Sequence, residues 1–132
     1  MQELFIETHS RHQYQETVAA LTEVIQSKGW KVLTSHDLKA TLDKNGYNVL
    51  PVTVMELCNP RHSSRLLIRD EERSVASMMP CRIAVYEKSD GKTYVSRMNA
   101  ELFAKMIGGV VEEVMTDAFR ETEVMIREVS VQ

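Results

Sequence analysis

Cys81-Arg82-Ile83-Ala84-Val85-Tyr86-Glu87 and Lys92-Thr93-Tyr94-Val95-Ser96-Arg97 are separated by a short polar stretch containing Ser89-Asp90-Gly91. Two strand-like runs joined this way read as a β-hairpin, because glycine adopts the positive φ that a tight turn requires. Within the first run Arg82 alternates with Ile83. Arg82 is therefore expected to point away from the core and to pair across strands with Glu56 or Glu87.

Working outward, further strands are predicted at Glu3–Thr8, Trp30–Leu33 and Val49–Leu57. Pro51 suits a strand entrance or an edge, since proline cannot donate to a ladder. Between the first two strands, Tyr14, Val18, Leu21 and Ile25 form one helical stripe. Ser10 and Gln13 have the spacing of a capping box, and Gly29 supplies the stop. Ser35 is placed to cap a short helix carrying Leu38 and Leu42, which Gly46 ends. Asn59-Pro60 breaks the chain before a polar helix at Arg61–Arg69, and a loop at Asp70–Pro80 follows.

From Asn99 to Arg127 the pattern is helical, with Leu102, Met106, Val110, Val114 and Ala118 on one stripe. Gly108-Gly109 interrupts it at a cost of about 2 kcal/mol relative to alanine. A break into two helices is the first explanation for that cost, and close approach of another backbone or a ligand is the second. The order β-α-β-α-β-α-β-β-α implies an α+β fold. It is expected as two layers, a mixed but mostly antiparallel sheet with helices packed on one face and a long C-terminal helix.

The chain of 132 residues fits a single domain, 1–132, with a core at about 3–107 and a helical extension at about 108–129. Its net charge of −3 argues against broad nucleic-acid binding, which needs a basic surface. No apolar run approaches the roughly 18 residues of a membrane span. The opening residues lack the pattern of a signal peptide, so a cytoplasmic location is expected. Cys58 and Cys81 are then expected as reduced thiols.

The segment Glu56-Leu57-Cys58-Asn59-Pro60 is followed by Leu66-Leu67, by Met79-Pro80-Cys81-Arg82-Ile83-Ala84-Val85-Tyr86-Glu87, and by the Asp90-Gly91-Lys92 turn. With the earlier Gly29-Trp30-Lys31-Val32, this order resembles domain-of-unknown-function family 302. The resemblance covers about residues 3–107. It implies a two-layer α+β fold with a topology like that of the TATA-binding protein, and a homodimer. It supplies no activity, and the cofactor is unknown. The residues beyond Gly109 depart from the pattern.

Cys58 and Cys81 stand at the ends of two strands, each beside a proline, and are expected to lie close together. With His62 they would make a thiolate and imidazole set suited to zinc or Cu(I), and with each other a reversible disulfide. Two cysteines without CxxC spacing are a weak signal, and the plainer reading is small buried hydrophobes. Arg61, Arg65 and Arg69 share a helix face that could hold an anion, or that is simply solvated and balanced by Asp70, Glu71 and Glu72. Asn59 and Arg82 complete the candidates for ligand contact. No catalytic set is recognisable.

The sequence thus reads as a non-enzymatic binding or regulatory module for a small ligand or soft metal. The alternatives are a thiol-based redox protein or enzyme using Cys58 and Cys81, and an interaction domain docking through its C-terminal helix. Apolar residues from Val114 to Ile126 could fold back beyond Gly108-Gly109 onto their own domain or pack against a second chain; the dimer contact is preferred, because monomers seldom leave such a patch in water and two-fold dimers are the commonest oligomers.

Overall fold

The computed structural model describes residues 3–132. Five strands, β1 (Phe5–His9), β2 (Lys31–Asp37), β3 (Val52–Cys58), β4 (Cys81–Glu87) and β5 (Thr93–Met98), form one sheet in the order β1-β5-β4-β3-β2. Every pairing in it is antiparallel, so the expected mixed character is absent. The helices are α1 (Tyr14–Ser27), α2 (Leu38–Lys44), α3 (Pro60–Leu67), α4 (Ala100–Ile107) and α5 (Gly109–Arg127), with a 3₁₀ helix at Asp70–Met78.

Side chains alternate across a strand. Met55, Leu57, Ile83, Val85 and Val95 all fall on one face, where they meet Leu21 and Ile25 of α1 and Ala118, Met125 and Ile126 of α5 in the main core. A fully buried side chain of this kind contributes roughly 1.5–3 kcal/mol by leaving water. A smaller cluster, Leu66, Val75, Val111 and Val114, closes the space beneath α3 and the start of α5.

Several boundaries move for local reasons. Gln13 caps α1 with no side-chain bond. Ser10 instead bonds the Thr17 hydroxyl at 2.6 Å, so the capping box does not form. β2 runs on to Asp37, whose carboxylate accepts from Ala40 N–H at 2.9 Å and caps α2 in place of Ser35. β3 begins directly after Pro51 and lies between β2 and β4, so that proline marks an entrance and not an edge.

The glycine pair breaks the last helix, as expected. Gly108 has φ +77° and Gly109 φ +61°, a region costly for any side chain. The break reverses the chain, and Arg120 of α5 reaches back to Glu101 of α4 at 2.8 Å. Val114, Ala118, Met125 and Ile126 are thereby buried in their own domain. The apolar stretch assigned to a dimer contact is largely core, and the argument for a dimer drawn from it fails. Among the described residues no helix is long and apolar enough to cross a membrane.

A candidate ligand cavity in a forked sheet

β4 and β5 pair at Glu87–Thr93, Tyr86–Tyr94, Val85–Val95 and Ala84–Ser96, and there the ladder stops. Beyond it the two strands part company. Cys81, Arg82 and Ile83 stay with β3, where Cys81 faces Leu57 and Arg82 faces Glu56. Arg97 and Met98 stay with β1, facing Ile6 and Phe5. The sheet is therefore forked, with Ala84 and Ser96 at the crotch.

A cavity of about 460 Å³ occupies this fork. Its walls come from both faces of the sheet. Val54, Ala84, Ser96, Met98 and Phe5 belong to the face without the main core. Leu57 and Ile83 belong to the core face, where Leu66, Met115 and Phe119 line the deeper part. Residues of both faces therefore border the space between the lips of the fork. The volume falls within the few hundred to a thousand Å³ typical of small-molecule sites, and the lining is mostly apolar, as such sites are.

Polar groups meet the cavity at its rim and on one flank. Asn59 caps α3, its side chain accepting from Arg61 N–H at 3.0 Å, with Pro60 at the first helical position, where no N–H is needed. That cap aims α3 so that His62 and Ser63 line the cavity beside Cys58. His62 is buried and its ring lies 5.7 Å from that of Trp30. Glu121 of α5 gathers this flank. It takes His62 Nε2 at 2.6 Å, the indole N–H of Trp30 at 3.0 Å and Arg61 at 3.3 Å. His62 Nδ1 is buried and meets no hydrogen-bond partner among the described residues.

Of the residues singled out in the sequence, Cys58, Cys81, Asn59, His62 and Arg82 line this one cavity. Among the described residues no three His, Cys, Asp or Glu side chains stand close enough to share an ion, and His62 Nε2 is already committed to Glu121.

The two cysteines are free. The cross-strand partner of Cys81 is Leu57, one residue short of Cys58. Alternation then assigns the two thiols to opposite faces of the sheet. Cys58 Sγ lies 3.6 Å from the Ser63 hydroxyl. Cys81 is exposed as a residue, yet its thiol is crowded by protein atoms. This desolvation, and secondarily the Cys58 thiol, push its pKa above the ordinary value.

The arginine row is elsewhere. Arg61 and Arg65 border a second hollow between α3 and α5, with Asp117, Arg120 and Glu121. Arg65 pairs with Glu113 at 2.8 Å, and Arg69 with Glu72 at 3.7 Å. Of the acids expected to balance the row, Glu72 does so; the others that face it come from α5. Arg82 pairs with Glu56 at 3.4 Å, one of the two partners expected for it.

Trp30, Arg97 and Glu121 were not anticipated. Arg97 carried a signal: it alternates with Val95 on the core face of β5, where an arginine demands a buried partner.

The fold and its cavity belong to a small α+β domain of no assigned activity. The chain matches the family "Domain of unknown function DUF302" over residues 6–130 and is a member of it. The match runs through α5, beyond the part of the chain where the sequence shows the resemblance. No curated protein matches it. The crystal structure of an uncharacterized conserved protein DUF302 from Bacillus stearothermophilus superposes with a TM-score of 0.87 at 21% identity, covering 97% of this chain and 99% of that one. At that identity the likeness speaks for the fold.

Proposed function

We propose that this protein is a binding module for a small, mainly apolar ligand held in the forked sheet. The observation that carries the reading is the mostly apolar cavity of about 460 Å³ where β4 and β5 separate. It is too apolar to be explained as a water site, since buried water needs two to four polar partners. Five of the residues singled out in the sequence converge on it.

The thiol-redox reading has less support. A reactive cysteine is one whose pKa is depressed, and the Cys81 pKa is displaced upward.

The neutral, polarity-sensitive dye N-phenylnaphthylamine tests the reading. It should bind the full-length protein with enhanced emission. Ala84→Trp, at the crotch of the fork, should abolish that binding while thermal stability is kept. Wild-type protein that leaves the dye unaffected would remove the cavity as a ligand site. A native mass spectrum of freshly purified protein adds a direct check, through any mass above 15.1 kDa per chain.

A further inference from the structure

The two arginines of the fork differ in what their guanidinium groups have left to offer. Arg97 gives Nε and Nη2 to the two carboxylate oxygens of Glu123 at 2.6 Å each, and Nη1 to the Thr8 hydroxyl at 3.0 Å. Its side chain is only 7% exposed. It is a saturated structural pair. Arg82, on the opposite lip, has one contact, from Nε to Glu56 at 3.4 Å, and is 55% exposed. Among the described residues its two η nitrogens meet no acceptor. A guanidinium with a free outer edge thus borders a mostly apolar cavity.

We infer that the ligand is an amphipathic anion: a carboxylate carried on an apolar chain, with the chain in the fork and the carboxylate on Arg82. The inference rests on the apolar-ligand reading above and adds the chemistry of the head group. The η nitrogens of one arginine match the two oxygens of a carboxylate side by side, the geometry in which such bonds are strongest. The open face of the sheet lets the head remain at the water boundary while the chain is desolvated.

Glu56 opposes this partly. It lies on the Nε side of Arg82 and is shared with His36 at 3.3 Å. It holds the guanidinium in place and lowers the local positive potential. Removing its charge should therefore strengthen carboxylate binding and leave a neutral ligand indifferent.

Trp30, the one tryptophan of the chain, lines the same cavity and reports occupancy by its fluorescence. The experiment is a titration of full-length protein with decanoate and, separately, with decanol. Decanoate should bind about tenfold more tightly, the scale of one charge-assisted hydrogen-bonded contact. Arg82→Gln should erase that preference without weakening decanol, and Glu56→Gln should enlarge it. Added salt should reduce the preference in the wild type, because the head is exposed. Should Arg82→Gln fail to fold, the salt series and Arg82→Lys, which keeps charge but loses the planar edge, supply the same comparison. Equal binding of the two ligands, or a preference that survives Arg82→Gln, overturns the carboxylate assignment and leaves the apolar site standing. Folded protein that binds neither ligand overturns both.

Discussion

Both carboxylate oxygens of Glu123 lie 2.6 Å from the guanidinium of Arg97, joining α5 to β5 on the inner side of the fork. Arg97 is paired with β1 but not with β4, so on the β4 side this ion pair, with Thr8, helps to position the end of β5. The pair is largely buried, and truncating one member leaves the other as an uncompensated buried charge. Glu123→Ala is expected to cost about 3 kcal/mol, read as a lower urea midpoint at unchanged slope. Arg97→Met with Glu123→Leu, which removes both charges and keeps the bulk, should recover most of that loss. A double variant as unstable as the single one would refute the explanation.

The helical tail gives a second expectation. Val114, Ala118, Met125, Ile126 and Val129 sit in the core. Deleting residues 112–132 strips the cover from Leu57, Ile83, Val85 and Val95. The truncated chain should lose its cooperative thermal transition altogether. A truncated domain with a sharp transition would show that α5 is dispensable.

How far the sequence revealed this fold depends on how local each signal was. The Asp90-Gly91 turn and the flanking alternation located the β4–β5 hairpin to within a residue, because both the turn chemistry and the period-two pattern are local. Gly108-Gly109 was legible for the same reason. Of the two partners open to the stretch from Val114 to Ile126, the dimer was preferred although most of it is core, because an apolar stripe does not state whether its partner is its own sheet or another chain. The fork was invisible. Nothing in Ala84-Ile83-Arg82 or Ser96-Arg97-Met98 says where a ladder ends, since either run would pair well. Only Arg97, a charge on an apolar face, hinted that something other than a neighbouring strand must satisfy it. The sequence suggested only that Cys58 and Cys81 lie near each other; that Asn59, His62 and Arg82 line the same cavity was not legible.

Tyr86 offers a pH-dependent readout on the open face. Burial, then its hydrogen bond to Glu7, pushes its pKa up to about 12. A tyrosine in the unfolded chain titrates near 10. The folded pKa is therefore the higher one. The stabilisation is complete below about pH 10 and is lost as pH rises from there through 12. Tyr94 is raised as well, by its hydrogen bond to Asp90. Tyr86→Phe should therefore reduce the late phenolate absorbance step and flatten the alkaline fall in stability. A late step of unchanged amplitude in Tyr86→Phe would assign it elsewhere.

The two thiols report which side of the sheet a ligand occupies. Cys58 and Cys81 lie on adjacent strands one residue out of register, on opposite faces, and both line the cavity. The raised pKa keeps the Cys81 thiol protonated at neutral pH, and the thiolate is the reacting species. Iodoacetamide should therefore modify Cys81 more slowly than a cysteine in an unfolded peptide, and mild oxidation should not join it to Cys58. Mass spectrometry of alkylated peptides measures both. Saturation with decanoate or with N-phenylnaphthylamine should protect both cysteines, because a molecule that threads the fork shields each face. Protection of Cys58 alone or of Cys81 alone would place the ligand on one side of the sheet and contradict passage through the fork. Fast alkylation of Cys81, or an internal disulfide after mild oxidation, would refute the crowded and opposed placement of the two thiols.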